Sequence, residues 1–264
     1  MINLKSKKKS KIIHYCWFGP KSLSKLAKKC MASWKVFLPD YEIKLWNEDN
    51  FDFNQNRFVK EAYQNKKWAF VADYARLKAL SEYGGIYLDT DMEIIKDISH
   101  ILRKECFLGV EDSGLVNAAV IGVKSPHNEF IDRLIFQYEN IEKFNVEDIY
   151  AMTIPRQITK MLEPLGFDKN KNEIQEFFNG NLTVYPRDYF YPLSYDYQDN
   201  RFTENSCMVH RYDATWASKP EKAKLFFRRH NMKFMMKTVD ICVSIKIRIK
   251  RLLNRIRGIP NDKI

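Results

Sequence analysis

The chain has 264 residues, of which 45% are hydrophobic and 14% aromatic. This length predicts one large domain, alone or with an appendage, and the apolar fraction excludes a disordered chain. The formal net charge is +11, and residues 219–264 supply it with fourteen Lys or Arg against three Asp or Glu, while residues 1–218 are balanced. Charge confined to a terminal segment argues against a nucleic-acid surface and indicates an attachment device.

Cysteine usage and hydropathy indicate the compartment. The five cysteines are scattered and form no C-x-x-C pair, which favours a reduced, cytoplasmic setting over a disulfide or zinc framework. The N-terminal segment 1–11 is basic, and the apolar run after it is too short for a signal peptide. No run approaches the roughly 18 apolar residues of a membrane span. We therefore expect a cytoplasmic protein that does not cross the bilayer.

Apolar periodicity predicts alternating strands and helices. In the first half, strands are predicted over residues 12–18, 41–46 and 86–88, and helices over 23–38 and Trp68–Tyr83, the latter capped by Gly84. In the second half, strands are predicted over 107–111 and 118–123, helices over 128–138 and 152–162, and an aromatic strand or loop over 182–192. This order predicts an α/β sheet domain with ligands at the carboxyl ends of the strands.

The strongest chemical signal is Asp89-Thr90-Asp91, which follows the predicted strand 86–88 and a Gly84-Gly85 turn. Two carboxylates one residue apart at the end of an apolar strand can hold a divalent cation that bridges diphosphate oxygens. Paired aspartates also occur in solvated turns. The apolar strand before this pair favours the functional interpretation.

Three further residues have both a structural and a functional interpretation. Asp73 and Arg76 lie three positions apart on one face of a predicted helix, where they would form an ordinary ion pair or grip ribose or sugar hydroxyls. Trp17, at the end of the first strand, would fill core space or offer its ring to a nucleobase.

Together with segments 11–19, 47–49 and 68–76, these motifs resemble the DXD-containing sugar transferases of glycosyltransferase family 32, over nearly all of residues 11–218. That family includes capsule and lipopolysaccharide enzymes, yeast-type mannosyltransferases and relatives of the clostridial glucosylating toxins. The resemblance implies an α/β, GT-A type, Rossmann-like nucleotide-diphosphosugar transferase fold with a mixed central sheet. It also implies retaining, Mn²⁺- or Mg²⁺-dependent transfer of a hexose from a UDP-sugar, rather than a GDP-sugar, to a growing glycan or glycolipid in polysaccharide biosynthesis.

The resemblance assigns donor contacts by position. It implies that Trp17 stacks on the base, that Asp73 and Arg76 contact the ribose and donor sugar, and that Tyr87 lines the pocket. It counts Asp73 and Arg76, with the two aspartates of the DXD motif, among the catalytic residues. Asn117 and the strand 118–123, together with residues 153–155, resemble an acceptor-side wall, although small residues there serve packing equally well.

The resemblance also assigns the metal ligands. Asp89 and Asp91 would be the metal and diphosphate pair, with Asp91 the direct ligand. Segment 209–216 resembles the family's closing His-His-x-x-x-Ser-Trp element, with Arg and Thr in place of the second His and the Ser. It implies that His210 is a further ligand and that Trp216 closes over the diphosphate. Arg211 would neutralise the departing diphosphate if it faces the pocket.

The basic tail is expected to form a separate part of the protein. We predict a glycosyltransferase domain over residues 1–218 and a tail over 219–264, in which apolar and basic residues from Lys222 onward alternate as in a basic amphipathic helix. Such a helix would bind anionic lipid at the inner membrane face, or pack on the domain or in a coiled coil. Residues 243–250 would also fit an edge strand.

Two other functions compete with sugar transfer. One is a metal-dependent phosphohydrolase with an Asp nucleophile, although such enzymes usually carry Thr or Val where this chain has Glu93. The other is a non-catalytic sugar- or membrane-binding module.

Overall fold

In a computed structural model, the chain is described over residues 11–141, 144, 149–215 and 217–256. The basic segment 1–10, Trp216 and residues 257–264 lie outside the described residues. The strands are β1 (Ile12–Cys16), β2 (Glu42–Trp46), β3 (Gly85–Leu88), β4 (Met92–Ile94), β5 (Cys106–Val110), β6 (Val116–Val123), β7 (Gln175–Phe177), β8 (Leu182–Tyr185) and β9 (Met208–His210). The α-helices are α1 (Lys25–Phe37), α2 (Arg57–Gln64), α3 (Trp68–Tyr83), α4 (Glu129–Glu139), α5 (Ile154–Leu162), α6 (Arg187–Phe190), α7 (Lys219–Arg229) and α8 (Lys233–Ile256).

Seven strands form the central sheet in the order β2-β1-β3-β6-β5-β8-β7. Strands β2, β1, β3, β5 and β8 run parallel to one another, and β6 and β7 run antiparallel to them. The carboxyl ends of the five parallel strands therefore meet at one edge of the sheet. The predicted fold class, α/β with a mixed central sheet of GT-A type, is confirmed in its α/β layering and its mixed sheet.

The core consists of two apolar clusters. The larger one joins residues of α2, α3, α4 and α5 to side chains of the sheet. The smaller one joins α1, β4, α6 and β9 to other sheet residues, with Trp34 fully buried among them. Helix α3 is mostly buried, and this burial includes the charged side chains of Asp73 and Arg76. Charged side chains buried in an otherwise apolar helix need ion-pair or hydrogen-bond partners, and the residues of the candidate site provide them.

A small second sheet brings a late segment of the chain next to the DXD motif. Strands β4 and β9 pair antiparallel, with Met92 opposite His210 and Ile94 opposite Met208. The amide of Arg211 extends this pairing by donating to the carbonyl of Asp91 at 2.9 Å. The sequence analysis predicted neither strand, because three residues are too few to show an alternating pattern.

The chain divides into two compact units. The first runs to Tyr195 and resumes over Asn200–Asp213, and the second contains Asp196–Asp199 and the chain from Ala214 onward. In the second unit, α7 begins with a capping box between Ser218 and Glu221. Among the described residues, no helix is both long and apolar enough to span a membrane.

The tail differs from the prediction in one respect. The single amphipathic helix expected from Lys222 onward is two helices, because the chain turns at Asn231, whose φ of 57° lies in the left-handed region. Asn tolerates this conformation better than most residues. Residues 243–250 are helical, so the alternative of an edge strand there is wrong.

Candidate metal centre

The DXD motif is delivered by a short, tightly held strand. Gly84 and Gly85 precede it with φ values of 64° and 96°, which strongly favour glycine. A Cβ on Gly85 would lie 2.5 Å from the Ile12 carbonyl oxygen, so only glycine lets β3 pair closely with β1. Past the end of β3, the amide of Asp89 donates to the carbonyl of Ala119 at 2.8 Å. The backbone of the first aspartate of the motif is therefore held against β6.

Three predicted ligands converge at this point. One ligand atom each from Asp89, Asp91 and His210 can be chosen so that all lie within 4.8 Å of one another. The Nε2 atom of His210 lies 3.2 Å from Oδ1 of Asp91, and the amide of Asp213 donates to Oδ2 of Asp91 at 2.8 Å. His210 Nδ1 is buried and makes no hydrogen bond within the described part of the chain. Two carboxylates and an imidazole are a donor set that fits a divalent cation.

The electrostatics of the cluster favour a bound positive charge. Burial by itself would raise the pKa of Asp91, but the charge and hydrogen bond of His210 and the Asp213 amide lower it overall. Burial would likewise lower the pKa of His210, but Asp91, and less strongly Asp89 and Glu111, raise it. A proton on the imidazole thus partly neutralises the carboxylates. A metal ion requires the neutral imidazole and would release that proton.

Arg76 joins the α3 residues to the DXD motif. Its guanidinium lies 3.0 Å from a carboxylate oxygen of Asp73 and 3.5 Å from one of Asp89, and it donates to the Ala118 carbonyl at 2.7 Å. The same group lies over the ring of Tyr87, 4.5 Å from its centroid. Burial raises the pKa of Asp73 to about 6, although Arg76 counteracts this effect. Helix α3 therefore places an ion pair, Asp73 with Arg76, against Asp89 at the carboxyl end of β3.

A second ion pair braces the β4 and β9 sheet. The Arg211 side chain donates from Nε to Glu93 at 2.6 Å, and its Nη2 atom also contacts that carboxylate. Lys29 approaches the other oxygen of Glu93 at 3.4 Å. Arg211 is thus paired on the strand next to the cluster, whereas the sequence analysis considered it for the leaving diphosphate.

The remaining predicted donor residues have different surroundings. Trp17 is half-buried directly after β1, and its indole N–H donates to the Lys21 carbonyl at 2.5 Å. Tyr87 is buried, and its hydroxyl donates to Asp89 at 2.8 Å, so it supports the first carboxylate. The expected closure by Trp216 lies outside the described residues. Asp73, Arg76, Tyr87, Asp89, Asp91 and His210 are therefore brought together, and Trp17 stands at the end of a neighbouring strand.

The structure adds polar residues that sequence reasoning missed at this sheet edge. Glu111 follows β5 and accepts hydrogen bonds from Asn117 at 2.5 Å and from Ser113 at 2.6 Å. Tyr191, after α6, donates from its hydroxyl to the side-chain oxygen Oδ1 of Asn117 at 3.3 Å, and its ring contacts that of His210 edge-on, with centroids 5.8 Å apart. The position of Glu111 at the end of a predicted strand was the signal that could have identified it.

Comparisons with known proteins indicate a class of protein for this chain. Residues 24–108 match the family model described as a glycosyltransferase sugar-binding region containing the DXD motif. The chain is 27% identical over 161 residues to an alpha-1,4-N-acetylglucosaminyltransferase of Homo sapiens, covering 61% of this chain and 45% of that protein. It is 23% identical over 262 residues to an uncharacterized glycosyltransferase of Acanthamoeba polyphaga mimivirus, covering 92% and 98%. The chain is therefore related to DXD-containing glycosyltransferases, a class of enzymes, as its motifs predicted.

The extent of these similarities differs between relatives. The chain spans less than half the length of the human relative, whereas it spans nearly all of the viral one. Among solved structures, the PaToxG glycosyltransferase is 17% identical with a TM-score of 0.46, covering 60% of this chain and 69% of that one.

Proposed function

We propose that this chain is a metal-dependent, retaining glycosyltransferase that moves a hexose from a UDP-sugar to a growing glycan or glycolipid in polysaccharide biosynthesis, such as capsule or lipopolysaccharide assembly. The observation that carries this proposal is the convergence of Asp89, Asp91 and His210 at the carboxyl edge of the sheet. A set of carboxylate oxygens suits Mg²⁺ and Mn²⁺, and the single imidazole nitrogen favours Mn²⁺ of the two.

In this proposal, each residue around the metal cluster contacts a different part of the donor. Trp17 stacks on the nucleobase, while Asp73 and Arg76 hold ribose and sugar hydroxyls from the buried helix α3. Tyr87 keeps Asp89 in position through its hydroxyl. These contacts orient the anomeric carbon of the donor and exclude water from it.

In the proposed reaction, the acceptor hydroxyl attacks the anomeric carbon from the face that the diphosphate leaves. A new C–O bond forms to the acceptor, the bond to the diphosphate oxygen breaks, and the hydroxyl proton passes to the departing diphosphate. Asp91, Asp89 and His210 would hold a divalent cation, which would supply positive charge to stabilise the leaving group. Arg76 stabilises the position of Asp89 throughout, because it is anchored to Asp73 and to the Ala118 carbonyl.

Donor hydrolysis tests this proposal. Purified protein is incubated with a panel of UDP- and GDP-sugars, with and without Mn²⁺, and the released nucleotide is measured. We expect Mn²⁺-dependent release of UDP from one sugar, at least 100-fold weaker in Asp91→Asn and unchanged in Asp97→Asn, an exposed aspartate after β4. Near-wild-type turnover by Asp91→Asn would refute the role of this carboxylate. Hydrolysis of p-nitrophenyl phosphate without any UDP-sugar turnover would instead favour a phosphohydrolase.

We further propose that residues 1–218 form the transferase domain and that residues 219–264 attach it to the inner face of an anionic membrane. Free thiols at all five cysteines support a cytoplasmic location. On α8, Phe234, Ile241, Ile245 and Ile249 are exposed and lie along one stripe at helical spacing. Lys and Arg residues flank the stripe in sequence, so the helix combines apolar contact with charge complementarity to anionic lipid.

Vesicle sedimentation tests the attachment. Full-length protein is mixed with phosphatidylcholine vesicles that contain or lack 30% phosphatidylglycerol, roughly the anionic fraction at which basic segments bind. We expect binding only to the anionic vesicles, weakened at least tenfold by combined Ile241→Ser and Ile245→Ser. The control is Phe136→Ser, an exposed apolar residue on α4. Equal binding by the double variant would contradict attachment through this stripe.

A further inference from the structure

The carboxyl edge of the sheet has two sides, separated by the DXD motif. Strand order places β1 and β2 on one side of β3, and β6, β5 and β8 on the other. Trp17 stands on the first side, at the end of β1. The hairpin that joins β5 to β6 stands on the second side and carries Glu111 at its start. A nucleotide stacked on Trp17 therefore leaves the β5 side of the metal cluster open to a second substrate.

Glu111 is an oriented carboxylate without a counter-charge. Its amide donates to the Leu115 carbonyl at 2.9 Å, which closes the hairpin, and its two carboxylate oxygens accept from Asn117 and Ser113. Its side chain is half-buried, and over the described ranges 11–141, 144, 149–215 and 217–256 it makes no ion pair with Lys or Arg. A carboxylate has about four lone-pair sites, so each oxygen retains the capacity for another donor.

Two hydrogen bonds and one ring contact connect this carboxylate to the metal cluster. Asn117 donates to Glu111 and accepts from the Ala119 amide at 2.7 Å and from the Tyr191 hydroxyl. Its amide is thereby fixed in one orientation. The ring of Tyr191 contacts the ring of His210.

We propose that Glu111 is the acceptor-binding carboxylate of the enzyme, held by Asn117 and Ser113 so that it accepts hydrogen bonds from two hydroxyls of an acceptor sugar. This inference rests on the proposed function. The hydrogen-bond partners of Glu111 within the described residues are all neutral groups. Sugar hydroxyls are neutral donors too, and they can occupy the acceptor positions of the carboxylate that remain unused. The acceptor is thus a glycan with a free vicinal diol, and it sits on the β5 side of the metal cluster.

The geometry favours an acceptor over further donor contacts at this position. In a retaining transfer, the attacking hydroxyl lies on the same side of the sugar as the departing diphosphate, so the acceptor must approach next to the metal cluster. The Tyr191 ring is fully buried and contacts both the Asn117 side chain and the His210 ring. It therefore supports the residues of this side of the site from behind and leaves the polar contacts with the acceptor to Glu111.

Saturation-transfer difference NMR tests this inference with defined probes. The full-length protein, with UDP and Mn²⁺, is titrated with methyl glycosides of glucose, galactose, mannose, N-acetylglucosamine and N-acetylgalactosamine. We expect at least one glycoside to bind the wild type and its affinity to fall at least tenfold in Glu111→Gln. A smaller loss of a few fold is expected in Ser113→Ala, an exposed position that leaves the hairpin backbone intact. The matched control is Glu105→Gln, an acid that precedes β5 at the opposite end of that strand.

The outcomes separate this inference from the proposed function. UDP and Mn²⁺ affinities within about twofold of wild type in Glu111→Gln, together with loss of glycoside binding, support the acceptor role. Glycoside binding that persists in Glu111→Gln, or no glycoside binding to a wild type that binds UDP, overturns the acceptor role alone. A wild type that fails to bind UDP overturns the proposed function and this inference together.

Discussion

Arg76 is the residue in which the buried charges of the site meet. It contacts Asp73, Asp89 and a backbone carbonyl at once, and it stacks on Tyr87. Only a planar group with several donors makes all four contacts from one position. The sequence showed the i, i+3 spacing to Asp73, but the contact to Asp89 depends on how α3 crosses the end of β3.

Replacing Arg76 by Lys therefore keeps the positive charge but removes the planar guanidinium and its several hydrogen-bond donors. We expect kcat/KM for the donor to fall by roughly 100-fold, since Asp89 shifts when its brace is lost. The unfolding free energy should fall by about 1–3 kcal/mol, because the Ala118 carbonyl loses a buried donor. Steady-state kinetics and urea denaturation measure both effects. Arg57→Lys, at an exposed ion pair on α2, is the control, and an equal effect there would refute the argument.

His14 is a buried titratable residue of β1 that contacts the turn at the amino end of β3. Trp46 donates to its Nδ1 atom at 3.1 Å, and its Nε2 atom lies 2.8 Å from the Gly84 carbonyl oxygen, so the neutral ring carries its proton on Nε2. Burial lowers its pKa to about 4, the Gly84 hydrogen bond opposes this shift, and Lys44 adds to it. The residue thus links β1, β2 and the turn that delivers the DXD motif.

This lowered pKa makes stability depend on pH. Between pH 6.5 and 4 the unfolded chain binds a proton at His14 that the folded chain does not, so the stabilisation is complete above pH 6.5 and is lost as the pH falls. The loss amounts to about 3 kcal/mol at pH 4. Urea denaturation at pH 7.5, 5.5 and 4.5 should show a smaller pH dependence in His14→Gln than in wild type. The exposed His100→Gln should behave as wild type, and identical slopes for all three would contradict the prediction.

Among the elements, long periodic segments were predicted and short long-range ones were not. Helix α3 was predicted with its observed bounds, because Val71, Tyr74 and Leu77 repeat over sixteen residues. Of the five parallel strands, β1, β2, β3 and β5 were predicted as strands, and β8 lies in the segment 182–192 that was predicted as a strand or loop. By contrast, β4 and β9 have three residues each and pair across more than one hundred positions of sequence. The turn at Asn231 was missed because the apolar spacing continues through it.

The candidate site shows the same division. The two aspartates of the motif follow a recognisable strand, so their position at the sheet edge could be predicted from sequence. The proximity of His210 came only from resemblance to a family motif, and the roles of Glu93 and Glu111 followed from neither route. Their contacts depend on strand register and hairpin geometry, which a single sequence does not specify.

The β4 and β9 sheet should influence metal affinity through its ion pair. Glu93→Gln removes the negative charge that balances Arg211. Glu93 lies on β4, two residues after Asp91, and Arg211 directly follows His210 at the end of the paired strand β9. We expect Mn²⁺ to bind about tenfold more weakly, as is typical when a partner behind the ligands is lost. Calorimetric titration with Mn²⁺ in the presence of UDP measures this change. The control is Lys29→Gln, which removes the exposed partner of Glu93 and should shift the Mn²⁺ affinity less than twofold. A similar shift in both variants would contradict the positioning role of Glu93.

At the scale of the whole molecule, the two units differ in how much they bury. The first contains both apolar clusters, whereas in the second Leu225 on α7 is buried and most described apolar side chains of α8 are partly or fully exposed. Helical stability in proteins comes mainly from such packing. The second unit therefore has the lower local stability.

Hydrogen exchange should show this difference directly. We expect amides of α8 to exchange at least 100-fold faster than those of β3 and β6, since opening the helix exposes little apolar surface. Mass spectrometry of peptides from both regions in the free protein measures the rates. Addition of anionic vesicles should slow exchange in α8 and leave the sheet unchanged. Equal protection of α8 and β3 in the free protein would show that the helix is part of the main cooperative core.

The ligands of the proposed metal centre would come from two stretches of chain that are synthesised far apart in time. Asp91 and Asp213 are hydrogen-bonded although they are 122 positions apart, and His210 lies in the later stretch. A cation bound there acts as a non-covalent cross-link, and it raises the free energy needed to detach the late strand from the sheet domain by the free energy of its own binding. A growing chain that has not yet reached β9 holds the two carboxylates but lacks the imidazole. Tight Mn²⁺ binding is therefore expected to mark the completion of folding, so that premature termination before His210 yields a polypeptide with weak metal retention.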